Sequence, residues 1–179
     1  MAGHRYRPSP PTRKGASVSI TTVRADLASK GWAGDILEFA ESSATVELAA
    51  AQAGTEPRRI AKTLAFASTD AEPGAILVVA AGDARVNGGM FKRRFGGKPS
   101  MLKFDEVEER TGHPVGGVCP FANPTDARIY LDESLRRFDT VFPAAGSANS
   151  AIELTLAELE RLSGALGWVD VCAAWRDEE

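Results

Sequence analysis

The chain has 179 residues, of which 44% are hydrophobic and 25% are charged. This length and composition predict one globular domain with a substantial core, and no apolar run approaches the roughly 20 residues of a membrane-spanning helix. The net charge of −3 neither indicates nor excludes a nucleic acid partner, because a protein that contacts few phosphates needs few positive charges.

The N-terminal segment differs in composition from the rest of the chain. Residues 1–20 contain several basic side chains and no acidic one, and they lack the continuous apolar core of a secretory signal. We expect a flexible polar tail, and its sequence leaves open whether it contacts nucleic acid phosphates. The two cysteines, Cys119 and Cys172, are too few for a disulfide framework in a chain of this size, which favours a reducing, cytoplasmic setting.

The first half of the chain contains both predicted helices and predicted strands. The elements expected there are, in chain order, a helix at 24–30, a strand at 35–39, a helix at 46–51, a helical turn at 55–57 and strands at 62–66 and 75–81. Gly31 and Gly54 follow the two helices, as is typical of helix C-termini. Because the run 75–81 is apolar on both faces, we expect it in the centre of a sheet.

The second half contains more strands. The elements expected there are a basic helix at 87–94, a strand at 100–104, a helix that begins at 105–108, strands at 128–131, 140–143 and 151–154, a helix at 156–162 and a strand at 168–173. Thr155 and Glu158 have the spacing of a capping box. The order lacks strict βαβ alternation, which predicts an α+β class: a single domain over residues 21–179, with a mixed β-sheet of about seven strands flanked by helices.

One segment has an unusual density of glycine and proline. Residues 112–121 are Gly-His-Pro-Val-Gly-Gly-Val-Cys-Pro-Phe. Glycine lets the main chain approach a ligand closely, and proline fixes φ. This composition predicts a loop that presents main-chain N–H groups to a pocket.

Several kinds of catalytic site have no support in the sequence. His4 and His113 are far apart, and no pair of cysteines or histidines has the spacing of metal ligands. The glycine-rich segments match neither a phosphate-binding loop nor a dinucleotide fingerprint, so we expect no metal and no cofactor. A nucleophilic site would have to use His113 with Cys119 or a distant serine. Cys119 as a nucleophile and Cys119 as a buried or loop-lining thiol both stay open.

Lys62 precedes the apolar run Thr-Leu-Ala-Phe and has two interpretations. It can be a lysine at the edge of a strand that extends into solvent, as most lysines do. It can also be a cation that holds a phosphate or polarises a carbonyl oxygen. The residue by itself does not decide between them.

Four segments occur in an order that resembles a known family. They are 59–64 (Arg-Ile-Ala-Lys-Thr-Leu), 112–121, 141–147 and 152–154. Over about residues 24–175, the chain resembles the YbaK/prolyl-tRNA synthetase-associated domain family. Members of that family are aminoacyl-tRNA editing deacylases, which hydrolyse mischarged tRNA in trans or as an insertion in a synthetase. The specific part of the resemblance is Lys62 combined with the Gly-x-x-x-Pro pattern of residues 116–120.

The resemblance implies a mixed-sheet fold with a pocket for the aminoacylated 3′ adenosine. Lys62 would be the catalytically required residue that positions the adenosine phosphate, and the main-chain N–H groups of the loop, at Gly116, Gly117 and Val118, would hold the ester carbonyl. The resemblance also implies a set of substrate-binding residues around them: Ser43, Ala44, Thr45, His113, Cys119, Pro120, Gly146 and Ser147. Of these, His113 would lie at the pocket rim. Because an ester is already activated, such a site needs no protein nucleophile.

We therefore expect a free-standing, metal-independent deacylase that removes a small amino acid, such as cysteine or alanine, from a proline tRNA. Its partners would be the aminoacylated tRNA 3′ end and an aminoacyl-tRNA synthetase, with no membrane and no DNA. Two residues depart from the family pattern: Ala122 stands where many relatives have glycine, and Ala151 where some cysteinyl-specific relatives have an acid. The alternative is a non-catalytic module that binds a tRNA end or a synthetase, to which the basic residues 92–94 would contribute.

Overall fold

The computed structural model describes residues 20–70 and 74–176. The predicted tail therefore lies outside the described residues, except that Ile20 begins the first helix. The described helices are α1 (Ile20–Ser29), α2 (Val46–Ala53), α3 (Gly88–Phe95), α4 (Val107–Thr111) and α5 (Leu156–Ser163), with 3-10 helices at Pro57–Arg59 and Glu133–Arg137. The described strands are β1 (Leu37–Glu38), β2 (Ile60–Ala67), β3 (Ala75–Ala81), β4 (Arg85–Val86), β5 (Ala127–Asp132), β6 (Thr140–Pro143), β7 (Ser150–Ala151), β8 (Leu154–Thr155), β9 (Gly167–Val169) and β10 (Cys172–Ala173).

Six of these strands form one mixed sheet in the order β8-β6-β2-β3-β5-β9. β2 is antiparallel to β3 and parallel to β6, while β5 is parallel to both of its neighbours. All seven residues of β3 are buried, which confirms the central position predicted from its apolar sequence. The mixed sheet with flanking helices confirms the predicted α+β class. Two further antiparallel pairs, β1–β7 and β4–β10, lie beside it.

Local capping chemistry sets the ends of the helices near the sheet. Thr45 caps α2 by accepting a hydrogen bond from the N–H of Leu48, and Gly54 ends the helix in the left-handed conformation, with φ 68°. Thr155 and Glu158 form the predicted capping box at the start of α5. The residues next to each helix in the sequence therefore determine where it begins.

α2 packs against the sheet through small side chains. Ala49 and Ala50 are buried together with Ile60 of β2 and Phe142 of β6, as the alanine-rich sequence of the helix predicts. The N-terminus of α2 is thereby held beside the parallel pair β2–β6. None of the helices in residues 20–70 and 74–176 is long and apolar enough to cross a membrane.

Three predicted strands differ in the structure. The predicted strand at 151–154 is divided into β7, which pairs with β1, and β8, which pairs with β6. The segment 100–104 makes only one isolated bridge, to β2, because it leads into the turn that precedes α4. The predicted strand at 168–173 is divided into β9, which pairs with β5, and β10, which pairs with β4. The division occurs where the N–H of Val171 donates to the buried carboxylate of Asp132 instead of to a neighbouring strand.

Candidate active site

A cavity of about 260 Å³ opens at the edge of the main sheet. Its position follows from an interrupted strand edge. On β2, pairing with β6 is limited to Ile60 and Ala61. Further along β2, the segment 100–102 forms main-chain hydrogen bonds with Ala65 and Ala67. The cavity lies at the gap between these two contacts, bordered by β2, β6, β7, the start of α2, the segment that leads into α4 and the glycine-rich loop.

Thr63 occupies the middle of this gap. Alternate residues of an antiparallel strand direct their main-chain groups to the same side, and Ala65 and Ala67 direct theirs away from β3. The N–H and C=O of Thr63 therefore point into the gap as well. Its buried hydroxyl has no hydrogen-bond partner in the described residues. Sequence reasoning missed Thr63, for which the available signal was its position next to Lys62 in a strand.

Lys62 lines the cavity, and its ammonium group is held by the turn between β3 and β4. Nζ donates hydrogen bonds to the carbonyl oxygens of Gly82, at 3.2 Å, and of Ala84. Burial lowers the pKa of Lys62 from its usual value. The side chain is therefore a fixed, partly buried cation and not a lysine extended into solvent.

The glycine-rich loop borders the same cavity from another side. Gly116 has a φ of 85°, which L side chains rarely adopt, and a Cβ placed on it would lie 3.6 Å from that of Ala44. The loop and the start of α2 are thus in direct proximity. The lining contributed by these two segments includes five of the twelve predicted site residues: Ser43, Ala44, Thr45, Gly116 and Val118.

Gly117 packs behind the lining. A Cβ at this position would lie 3.2 Å from the main-chain carbon of Ser147 and 3.3 Å from the ring of Pro114. Its N–H donates to the carbonyl oxygen of Pro114 at 3.0 Å, so this predicted donor is already engaged within the loop. The N–H groups of Gly116 and Val118 have no hydrogen-bond partner in the part of the chain that the structure describes.

Gly146 and Ser147, which were predicted to bind substrate, support the loop from behind and do not line the cavity. The main-chain N–H and the hydroxyl of Ser43 both donate to the carbonyl oxygen of Ala148, at 2.6 and 3.1 Å. Ser147 Oγ donates to Ser150 Oγ at 3.0 Å, and Ser150 itself borders the cavity. This turn therefore joins α2, the loop and β7.

His113 does not lie at the rim of the cavity, where it was expected. Its side chain is fully buried beneath the loop, where Nε2 donates to the carbonyl oxygen of Phe121 at 2.7 Å and lies 3.4 Å from Sγ of Cys119. Burial lowers the pKa of His113 and raises the pKa of the Cys119 thiol to about 12. A buried, protonated thiol is a poor nucleophile. Cys119 and the buried Pro120 therefore belong to the support of the loop.

Two further side chains complete this support. Thr111 Oγ1 accepts a hydrogen bond from the N–H of His113 at 3.1 Å, and Asn123 Nδ2 donates to the carbonyl oxygens of Thr111 and Cys119 at 3.0 and 3.2 Å. Between them, Ala122 has a φ of 52°, a conformation that glycine adopts with little strain. The main chain at this position thus keeps a glycine-like shape although the residue is alanine.

The cavity offers a restricted set of chemical groups. Among the described residues, Lys62 is the one ionisable side chain in its lining, and no three His, Cys, Asp or Glu side chains within residues 20–70 and 74–176 are placed to hold a metal ion. The remaining groups are main-chain N–H donors, hydroxyls and small apolar side chains. Such a set can bind an anion and stabilise negative charge on a carbonyl oxygen.

The family described as the aminoacyl-tRNA editing domain matches residues 40–162, the stretch that contains every segment around the cavity. The chain belongs to this family. An aminoacyl-tRNA editing domain therefore carries the cavity, and the predicted family is confirmed. A curated relative, the uncharacterized protein YwhH of Bacillus subtilis (strain 168), is 48% identical over 158 residues, which are 88% of this chain and 99% of YwhH.

Solved structures agree with this assignment to the editing-domain family. The crystal structure of the hypothetical protein APE2540 is 32% identical with a TM-score of 0.74, and the similarity covers 84% of this chain and 99% of that one. A crystal structure titled "a putative trans-editing enzyme for prolyl tRNA synthetase" is 31% identical with a TM-score of 0.77, covering 86% and 96%. These similarities confirm the predicted YbaK-like fold, and they support aminoacyl-tRNA editing as the general activity.

Proposed function

We propose that this editing domain hydrolyses the ester bond of a mischarged aminoacyl-tRNA and releases a small amino acid. Membership of the editing family supports the reaction class. The observation that carries the proposal is that one cavity is lined both by Lys62 and by Gly116 and Val118, whose N–H groups are unengaged among the described residues. The described lining contains no histidine, cysteine or carboxylate that could activate a protein nucleophile.

In this proposal each side of the cavity has a separate role. During hydrolysis an oxygen nucleophile adds to the ester carbonyl, the carbonyl oxygen becomes negatively charged, and the bond to the ribose oxygen then breaks, with a net consumption of one water. The N–H groups of Gly116 and Val118 stabilise that oxyanion. Lys62 binds the phosphate of the terminal nucleotide and so orients the ester. Because buried hydrogen bonds hold the loop in advance, little reorganisation is needed during the reaction.

The lining favours alanine as the amino acid. Ala49, Ala65 and Phe142 contribute apolar surface to the cavity lining, which suits an uncharged amino acid side chain. Ala151 also lines it and is 2% exposed, so this position supplies no carboxylate to assist a substrate thiol. We infer alanyl-tRNA(Pro) as the substrate, which is supported by the similarity to a structure named for prolyl-tRNA synthetase editing.

A panel of mischarged tRNAs tests the proposal directly. The wild-type protein should release alanine from alanyl-tRNA(Pro) in the presence of EDTA, since no step uses a metal. Lys62→Ala should lower kcat/KM by about 100-fold or more, since misplacing a bound substrate by about 1 Å can cost about 100-fold in rate. Lys98→Ala, which removes an exposed lysine outside the lining, is the matched control and should retain activity.

The same panel separates catalysis from binding. Saturable binding of tRNA without release of any amino acid would favour the alternative, a non-catalytic module that binds a tRNA end. A Lys62→Ala protein with full activity would remove the proposed mechanism. Circular dichroism and thermal unfolding of each variant show whether the fold is retained.

A further inference from the structure

Phe104 is 81% exposed, the highest value among the exposed large apolar side chains of the described residues. An exposed phenyl ring of this kind contributes nothing to the core. Singly exposed apolar residues are common, but a cluster of them next to a concave site marks a contact surface. The surroundings of Phe104 therefore decide what it can do.

The main chain places Phe104 between two residues that line the cavity. Leu102 and Val107, on either side of it in the sequence, both line the cavity. Between them the N–H of Glu106 donates to the carbonyl oxygen of Lys103 at 2.9 Å, which closes a turn with Phe104 at its tip. Since adjacent Cα atoms are about 3.8 Å apart, the Cα of Phe104 lies within about 7.6 Å of that of the cavity-lining Leu102.

Other exposed apolar side chains border the same opening. Met101, on the wall that carries Phe104, is 56% exposed, and Val115, on the glycine-rich loop, is 47% exposed; both line the cavity. We name Met101, Phe104 and Val115 the apolar rim. It lies immediately outside the place where the ester would be held.

Charge divides the mouth into two kinds of surface. The turn and helix that carry Phe104 contain four acidic residues, Asp105, Glu106, Glu108 and Glu109, against two basic ones, Lys103 and Arg110, so this segment has a net negative charge that disfavours phosphate. On the side of Lys62, exposed Arg85 is near enough to lower the pKa of the Lys62 ammonium, after the larger effect of burial. A nucleotide can satisfy both surfaces, with its phosphate at the cations and its uncharged aromatic base on the apolar rim.

We propose that Phe104, with Met101 and Val115 around it, is a stacking platform for the terminal nucleobase at the 3′ end of the RNA substrate. This inference rests on the proposed function, because it takes the aminoacylated end as the cavity's occupant. Stacking on an aromatic side chain tolerates any base, since every base has a π-face. The platform therefore positions the RNA end without reading its sequence.

The test pairs a protein change with a change in the RNA. Two fluorescently labelled minihelix RNAs without an attached amino acid serve as probes. One ends in adenosine, and the other is the same RNA with an abasic 3′-terminal ribose. Kd is measured by fluorescence anisotropy. Phe104→Ala should weaken binding of the adenosine-ended RNA about tenfold, which corresponds to the roughly 1–3 kcal/mol typical of base stacking, and should leave binding of the abasic RNA unchanged. Phe104→Trp should restore the lost affinity.

Leu166→Ala is the matched control, because Leu166 is 65% exposed and, unlike Phe104, has no cavity-lining residue within three positions of it in the sequence. It should bind both RNAs like the wild type. Equal losses on the two RNAs, no loss on either, or a wild-type protein that does not prefer the adenosine-ended RNA would overturn the platform. If Phe104→Ala changes the sedimentation of the protein relative to the wild type but leaves its RNA affinity unchanged, the platform is also overturned. That result would show that a second copy of the chain covers the rim.

The binding experiment uses RNA without an attached amino acid, so its result does not depend on turnover. One possible result is that the protein releases no amino acid, but Phe104→Ala weakens binding of the adenosine-ended RNA alone. This result would support the platform and contradict the proposed hydrolysis. A protein that deacylates tRNA with unchanged affinity after Phe104→Ala keeps the hydrolysis and loses the platform.

Discussion

The two sides of the cavity are held in different ways. The glycine-rich loop is supported by hydrogen bonds between residues close in the sequence: His113 to Phe121, eight positions apart, and Asn123 to Thr111, twelve positions apart. Lys62 is held by the carbonyl oxygens of Gly82 and Ala84, 20 and 22 positions away. The hydrogen bonds within the loop are thus local, with the turn at Gly146 and Ser147 packed behind them, whereas the hydrogen bonds of Lys62 depend on the packing of separate elements.

The turn that holds Lys62 depends on further long-range contacts. Asp83, at its centre, forms an ion pair with Arg137 at 2.6 Å, across 54 positions of sequence. Although burial alone would raise the pKa of Asp83, the hydrogen bond from Arg137 leaves that pKa lowered. Because more distant segments meet here, we expect the lysine side to be the more sensitive of the two to changes in packing.

The largest effect is expected at Gly82. A Cβ on this residue would collide with the carbonyl oxygen of Pro57 and lie 2.7 Å from Cγ1 of Val46, so Gly82→Ala must displace α2 or the turn. We expect a loss of roughly 3 kcal/mol in the free energy of unfolding, measured by urea denaturation, together with reduced deacylation. Gly88→Ala, with nothing within 4 Å, should be neutral or slightly stabilising. Equal stability of the two variants would contradict the close packing at Gly82.

A smaller effect is expected at Gly116, on the loop side. Its φ of 85° makes Gly116→Ala cost about 1–2 kcal/mol, and the resulting shift of the main chain should misplace the oxyanion donors and lower kcat about 100-fold. Gly31→Ala is a close control, because Gly31 has a φ of 82° and no neighbour within 4 Å. It should lose similar stability without loss of activity. If both variants lose activity equally, the loop has no special role.

The smallest effect concerns the buried His113. Because its folded-state pKa lies below the ordinary value of 6.5, the unfolded chain binds its proton more readily than the folded one. The contribution of this group to stability is therefore present above pH 6.5 and is lost as the pH falls through 6.5 towards the folded-state pKa. His113→Gln, which keeps a donor for Phe121, should cost about 1 kcal/mol at pH 7.5.

Urea unfolding at pH 7.5 and 5.5 measures this difference. The wild-type protein should lose more stability between the two values than the glutamine variant does. Identical pH profiles would show that His113 is not held in its neutral form beneath the loop.

Sequence patterns predicted the elements whose cause is local. The glycine after α2, the capping box at Thr155 and Glu158, and the apolar run of β3 all lie where the sequence indicates. The pattern failed at 100–104, since an apolar alternating segment pairs as a strand only where a partner edge continues beside it. It also failed to divide the segment 168–173, because the hydrogen bond from Val171 goes to Asp132, a residue distant in the sequence.

For the site, sequence and structure contributed different information. The residue pattern by itself determined that a lysine-bearing strand and a glycine-rich loop are present, and that the chain belongs with the editing domains. Only the tertiary structure decided which groups face the cavity: the N–H of Gly117 is engaged by Pro114, His113 lies under the loop, and Thr63 stands in a gap of the sheet edge. The physical reason is that burial and hydrogen-bond availability depend on contacts between distant segments, which no local pattern encodes.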